Sequence, residues 1–128
     1  MKRILLVDDE KSIVFAVRQY FLQQGYVVDC ATTCEEALEQ LAAHEYAVAI
    51  VDVELRGGTG SNDGLNLAQF IRRHAPTTGV IILTALATLE TEIRAREAGV
   101  HSFLSKPTRL SQIADVAFGL IRDIAVSH

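Results

Sequence analysis

The stretch that decides the fold is residues 46–52, which read Tyr46-Ala47-Val48-Ala49-Ile50-Val51-Asp52. Its apolar residues follow one another without alternation, which predicts a short strand that is covered on both faces. Four further runs of this kind lie at residues 3–7, 26–30, 80–83 and 102–105, and the second of these is the weakest. We therefore predict five strands.

Stretches with helical periodicity follow each of these strands. Their apolar stripes lie within residues 13–22, 37–42, 65–71, 89–98 and 110–124. The fourth stripe is thin, with only Leu89, Ile93 and Ala98, and Gly99 closes it as Gly25 closes the first. Strict alternation of strands and helices predicts an α/β fold, with a doubly wound parallel sheet of five strands and helices on both faces.

The composition narrows the functional class. The chain has 128 residues, of which 49% are hydrophobic and 22% charged, as is typical of one globular domain. Its net charge of −4 and the lack of a basic run argue against direct nucleic-acid binding, because phosphate contacts need clustered cations. No apolar run approaches the ~20 residues of a membrane span. We expect a cytoplasmic protein without a signal peptide, in which Cys30 and Cys34 are reduced.

Polar residues close four of the predicted strands. Because ligands of such sheets bind outside the carboxyl ends of the strands, we expect the chemistry at Asp8, Asp9, Asp52, Thr84 and Lys106. Three carboxylates in one pocket repel one another unless a cation is present, and oxygen ligands favour Mg²⁺. Lys106 adds a positive charge suited to a phosphoryl oxygen, and Thr84 adds a hydroxyl donor. These groups are the parts required for phosphoryl transfer to a carboxylate.

In this arrangement the chain resembles the receiver domain of bacterial two-component response regulators over essentially its whole length. The matching motifs are Leu6-Val7-Asp8-Asp9-Glu10, Asp52, Asp63-Gly64, Thr84-Ala85, and Phe103 followed by Lys106-Pro107. The resemblance implies a single receiver domain over residues 1–128. It further implies a flavodoxin-like (βα)5 fold with the strand order 2-1-3-4-5. A cis peptide bond between Lys106 and Pro107 is implied as well.

The resemblance also implies a role for each site residue. Asp52 would be the phosphoacceptor, assisted by Lys106 and Thr84. The ligands of Mg²⁺ would be Asp8, Asp9, Asp52 and the backbone carbonyl of Glu54, and the switch residues would be Thr84 and Phe103. The domain would catalyse only its own phosphotransfer and dephosphorylation, and would not otherwise be an enzyme.

The implied partners follow from the same resemblance. A sensor histidine kinase or a phosphotransfer protein would present phosphohistidine to Asp52. The face formed by the fourth helix, the fifth strand and the fifth helix would then bind an output domain or a second copy of the chain. No membrane partner is expected.

Two features depart from the family pattern. The stretch between Asp52 and Asp63 is longer than is common, lacks proline and contains three glycines within residues 56–62. We expect it to form an exposed loop beside the pocket, which is either a tolerated insertion or an element that controls access to Asp52. Glu54 adds a negative charge two residues after the phosphoacceptor.

Two other functional classes are alternatives to a receiver domain. A hydrolase of the haloacid dehalogenase type also forms an aspartyl phosphate and has an acidic residue two places after its nucleophile, as Glu54 follows Asp52. The acidic pair that precedes Asp52 in the sequence argues against that class. A receiver-like module that is never phosphorylated is the second alternative, and the complete set of acidic, lysine and threonine residues argues against it.

Overall fold

Strands and helices alternate along the chain as predicted. The computed structural model describes residues 2–54, 63–85 and 87–127. The elements are β1 (Arg3–Val7), α1 (Lys11–Gln23), β2 (Val27–Ala31), α2 (Cys34–Ala43), β3 (Val48–Val51), α3 (Asp63–His74), β4 (Gly79–Thr84), α4 (Leu89–Glu97), β5 (Ser102–Ser105) and α5 (Leu110–Ser127). The predicted loop over residues 56–62 lies outside the described residues.

The sheet has five parallel strands in the order β2-β1-β3-β4-β5, which confirms the predicted fold class and strand order. The strand order reverses at β1, because β2 lies on one side of β1 and all later strands lie on the other side. A crevice therefore opens between the carboxyl ends of β1 and β3, where Asp8 and Asp52 begin the following loops.

Apolar side chains cover both faces of the sheet. Ala37, Ile71 and Ala95 bring α2, α3 and α4 onto one face, and Phe21 and Ile113 bring α1 and α5 onto the other. All residues of β3 and β4 are buried, as their unbroken apolar runs predict. Within the part of the chain that the structure describes, no helix is long and apolar enough to cross a membrane.

Helix α4 departs from the prediction. The expectation that Leu89 and Ile93 face the sheet is wrong, because they are 73% and 45% exposed. The helix buries Thr91 and Ala95 instead, two small residues four positions apart that share one face. Thr88 and Thr91 complete a capping box, with Thr91 N donating to Thr88 Oγ1 at 3.1 Å and Thr88 N to Thr91 Oγ1 at 3.0 Å. This cap turns Thr91 inward and leaves the larger apolar side chains outside.

Candidate functional site

Three carboxylates meet in the crevice between β1 and β3. Oxygen atoms of Asp8, Asp9 and Asp52 all lie within 4.8 Å of one another. Asp8 is 1% exposed and Asp52 is 7% exposed, whereas Asp9 is half-buried and lies at the mouth. The structure thus brings together the acidic residues that the sequence predicts as neighbours.

The backbone holds the two buried carboxylates in the same way. The Glu10 N–H donates to Asp8 Oδ1 at 2.9 Å, and the Glu54 N–H donates to Asp52 Oδ1 at 3.1 Å. Each aspartate therefore accepts the N–H group two residues further along, which is the pattern of an Asx turn. Because this contact fixes one oxygen, the second oxygen of each carboxylate is available to other groups in the crevice.

Lys106 contacts the second oxygen of both aspartates. Its Nζ lies 2.9 Å from Asp8 Oδ2 and 3.1 Å from Asp52 Oδ2, and a third contact of 3.2 Å joins it to Glu10 Oε2. Burial lowers the pKa of Lys106, but hydrogen bonds and charges of Asp8 and Asp52 outweigh burial and hold that pKa above its usual range. The lysine is therefore a permanent cation in the pocket.

Among the described residues, the contacts of Lys106 do not neutralise the carboxylate cluster. Burial raises the pKa of Asp8, and the charge of Asp52 acts in the same direction, although the Glu10 N–H and Lys106 oppose both. Within the described residues, Asp8, Asp9 and Asp52 together with Glu10 and Glu54 carry more negative charge than Lys106 and Lys11 can balance. A further cation would relieve this imbalance.

The donor set fits a magnesium ion. Every candidate ligand in the cluster is a carboxylate oxygen, and oxygen is the ligand that Mg²⁺ prefers. The crevice opens into a cavity of about 580 Å³ lined by Asp9, Glu10, Lys11, Asp52, Glu54, Ala85 and Lys106. Magnesium usually keeps several waters, and a cavity that opens at Asp9 leaves room for them.

The ends of β4 and β5 carry the remaining predicted site residues. Thr84 is fully buried at the end of β4, and its carbonyl accepts the Lys106 N–H at 2.8 Å. This bond holds Lys106 beside the crevice. The Lys106–Pro107 peptide bond is cis, which confirms that prediction. Phe103 pairs in register with Ile82 and is half-buried on the face of the sheet that α4 covers.

Gly64 explains why an Asp-Gly pair opens α3. A Cβ atom on Gly64 would overlap the carbonyl oxygen of Asp52 and lie 2.7 Å from Val53 Cα. The Gly64 N–H in turn donates to the Val53 carbonyl at 3.2 Å. The start of α3 therefore packs directly on the backbone of Asp52, which only glycine permits.

Glu10 is the residue at this site that the sequence analysis missed. Its carboxylate contacts Lys106, although the chain positions of the two residues are far apart. The available signal was that Glu10 directly follows the acidic pair at the end of β1. Its side-chain direction depends on where β5 ends, which the sequence alone does not specify.

Comparison with known proteins identifies the class to which this fold and site belong. The sequence model of the response regulator receiver domain matches residues 4–118. The chain therefore belongs to the response regulator receiver domain family of two-component systems, whose members are signalling domains.

Individual relatives support this assignment. Response regulator RppA of Synechocystis sp. is 34% identical over 113 residues, which are 87% of this chain and 47% of RppA. The chain thus spans about half the length of that relative. Response regulator TrrA of Thermotoga maritima, crystallised in complex with Mg(2+)-BeF, is 29% identical with a TM-score of 0.79, covering 94% of this chain and 99% of TrrA. A CheY-like receiver domain from Methanospirillum hungatei has a TM-score of 0.92 at 24% identity, covers 100% of this chain and 99% of its own, and shows the same fold.

Proposed function

We propose that this domain is a phosphorylation-dependent switch of a two-component system, acting in the cytoplasm, with Asp52 as the phosphoacceptor. The observation that carries the proposal is that Asp8, Asp9 and Asp52 cluster at the crevice where the strand order reverses, with Lys106 in contact with Asp8 and Asp52. Asp52 is the member of this cluster whose strand lies in the centre of the sheet, with its carboxylate facing the open cavity.

Asp52 is the nucleophile in the proposed reaction. One of its carboxylate oxygens attacks the phosphorus of a phosphohistidine presented by a sensor histidine kinase or a phosphotransfer protein. The P–N bond breaks, the imidazole leaves with the bonding electron pair, and that nitrogen takes up a proton. The Glu54 N–H fixes the rotation of the Asp52 carboxylate during attack. Lys106 then contacts a phosphoryl oxygen, and Thr84 supplies a hydroxyl donor beside it.

Asp8, Asp9, Asp52 and the backbone carbonyl of Glu54 would hold Mg²⁺. When bound, the ion supplies positive charge against the phosphoryl oxygens. The Mg(2+)-BeF complex of TrrA supports this assignment, since that relative is 29% identical over 94% of this chain. The charge imbalance around Asp8 supports it independently.

The proposed output face is formed by α4, β5 and α5. Leu89 and Ile93 are large apolar residues on the exposed side of α4, where burial against a partner would be favourable. Contacts of Lys106 and Thr84 with the phosphoryl group would shift the adjoining ends of β4 and β5, and Phe103 on β5 would then repack. An output domain or a second copy of the chain would bind the altered face.

Acetyl phosphate provides a direct test. The parent protein, incubated with acetyl phosphate and Mg²⁺, should gain the mass of one phosphoryl group, and Asp52→Asn should gain none while keeping its fold. The matched control is Asp123→Asn, because Asp123 is highly exposed on α5, and this variant should be labelled like the parent.

The same experiment distinguishes the alternative classes. A hydrolase of the haloacid dehalogenase type would release phosphate steadily, and an inert module would neither bind nor release it. Labelling of Asp52→Asn at the level of the parent would show that Asp52 is not the acceptor.

A further inference from the structure

Glu10 is the outermost of the three carboxylates that contact Lys106. Its Oε2 lies 3.2 Å from Lys106 Nζ, and its side chain is 54% exposed, whereas the side chains of Asp8 and Asp52 are buried. Glu10 occupies the N-cap position of α1, yet its side chain makes no capping hydrogen bond to the described part of that helix. Helix capping therefore does not explain why the carboxylate points toward Lys106.

The Glu10–Lys106 pair lies between two cavities. Both residues line the acidic cavity of about 580 Å³, and both also line a neighbouring, largely apolar cavity of about 490 Å³ between α1 and α5. The ion pair thus lies at the rim of the acidic pocket, on the side that faces the apolar cavity.

We propose that Glu10 is a positioning residue that holds the Lys106 ammonium at this rim and competes with the phosphoryl group for it. The inference rests on the proposed function of Asp52. An ammonium group has three N–H donors, and in this structure three carboxylates lie within reach of it. A phosphoryl oxygen that binds Lys106 must therefore displace one of these contacts.

The contact between Glu10 and Lys106 is the one that breaks. An ion pair with a half-exposed partner contributes little stability, because water solvates the carboxylate well when the pair opens. Breaking the contact with Asp8 or Asp52 would instead separate Lys106 from a buried carboxylate that water solvates poorly, which costs more. Entry of the phosphoryl group thus exchanges Glu10 for a phosphoryl oxygen and leaves the inner contacts of Lys106 in place.

Competition of this kind has a kinetic signature. Since the Glu10 contact is already broken once the donor is bound, its loss should affect donor binding and not the subsequent transfer. Glu10→Gln should lower the acetyl phosphate concentration that gives the half-maximal labelling rate by about two- to fivefold, the range set by a weak exposed ion pair. The maximal labelling rate should stay unchanged.

Glu10→Asp separates the contact from the charge. Aspartate keeps the negative charge at the rim, but it is one methylene shorter and is a favoured N-cap residue, so it should turn to the first turn of α1. If the contact with Lys106 matters, Glu10→Asp should resemble Glu10→Gln. The matched control is Glu39→Gln, which removes one exposed carboxylate from α2 and should behave like the parent.

The test is the labelling rate of these four proteins with acetyl phosphate and Mg²⁺, measured over a range of donor concentrations. A lowered half-saturation in both Glu10 variants supports the inference. A Glu10→Asp variant that matches the parent overturns it in favour of simple charge repulsion, and so does a Glu10→Gln variant that matches the parent. A parent protein that is not labelled at all would instead refute the proposed function, and the inference with it.

Discussion

The polar groups at the two edges of the sheet differ in how well their charges and hydrogen bonds are balanced. At the carboxyl edge, among the described residues, the carboxylates of Asp8, Asp9 and Asp52 outnumber the two lysines, Lys106 and Lys11, that line the same pocket. At the amino edge the polar groups have hydrogen-bond partners. Asp29 Oδ2 accepts from Arg3 Nη1 at 2.9 Å and from the Tyr46 hydroxyl at 2.7 Å, and the Thr78 hydroxyl donates to the Tyr46 carbonyl at 2.8 Å. Burial and the hydrogen bond to Asp29 raise the pKa of Tyr46 far above its usual value, so it is a neutral donor.

This difference indicates that the polar groups at the amino edge contribute to stability and those at the carboxyl edge to function. These hydrogen bonds at the amino edge give Asp29 and the hydroxyl groups of Tyr46 and Thr78 a partner, and they link β1, β2 and the start of β3. The carboxyl edge keeps an excess of negative charge that a fold selected only for stability would avoid. Removing a buried charge from the carboxyl edge should therefore stabilise the fold, whereas removing a hydrogen bond from the amino edge should destabilise it.

The largest effect is expected where the backbone of the acidic pocket meets α3. Gly64→Ala should lower the free energy of unfolding by about 3 kcal/mol, since the new Cβ must displace the Asp52 backbone and cannot be accommodated by a flexible side chain. Labelling of the variant with acetyl phosphate should fall as well, because Asp52 moves. Urea unfolding and intact mass spectrometry measure the two effects.

Gly25→Ala is the matched control for that substitution. Gly25 has a φ of +88° but open space around its Cβ position, so alanine there should cost only about 1 kcal/mol of backbone strain. Labelling should be unchanged in this variant. Equal unfolding free energies for the two variants would show that the close approach of Gly64 to Asp52 is not important.

Most of the fold could be predicted from the sequence. Unbroken apolar runs such as residues 48–51 are buried on both faces, and their polar ends mark the carboxyl edge of the sheet. The face that α4 turns inward could not be predicted, because Leu89 and Ile93 suggest a stripe that the Thr88–Thr91 capping box overrides. A helix of only 9 residues has too few positions for periodicity to decide its rotation.

The sequence predicts those residues of the candidate site that directly follow a strand. Asp8, Asp9 and Asp52 follow buried strands, so topology alone places them together. Glu10 was not predicted, because its contact with Lys106 depends on how its side chain reaches from the end of β1 to the end of β5. A contact of this kind can be recognised only when the positions of both side chains in the structure are known.

The second prediction concerns the amino edge. Tyr46→Phe should lower the free energy of unfolding by about 1.5 kcal/mol, because Asp29 loses a buried donor while the aromatic ring is kept. Labelling of Asp52 should remain at the level of the parent, since the change lies at the opposite edge of the sheet. A loss of labelling in folded Tyr46→Phe protein would contradict the separation of the two edges.

The third prediction is a substitution at the carboxyl edge that raises the free energy of unfolding. Asp8→Asn should raise the free energy of unfolding in magnesium-free buffer by about 1 kcal/mol, because it removes a buried charge from a pocket that already holds excess negative charge. The same variant should lose Mg²⁺ binding, which a calorimetric titration measures. A variant that is less stable than the parent would mean that the Asp8–Lys106 ion pair outweighs the repulsion.

The smallest effect is expected at His101, just before β5. The Val80 N–H donates to His101 Nδ1 at 3.0 Å, and the His101 N–H donates to the Val80 carbonyl at 2.9 Å, so the residue joins β4 to the start of β5. Only a neutral imidazole can accept this bond. Burial lowers the pKa of His101 below its usual 6.5, and the positive charge of Arg72 on α3 lowers it further.

The pH dependence follows from that lowered pKa. Between the folded pKa and 6.5, the unfolded chain binds a proton at His101 that the folded protein does not, so stability falls as the pH decreases through this window. His101→Asn should remove this contribution, because an amide oxygen can accept the Val80 N–H in the same place and does not titrate. The two proteins should be equally stable at about pH 7, and at about pH 5 the parent should be weaker by less than about 1 kcal/mol, since the imidazole is partly screened by solvent. Urea unfolding at both pH values measures the difference, in which all other titrating groups cancel. Parallel pH profiles for the two proteins would show that the imidazole contact does not contribute to the stability of the amino edge.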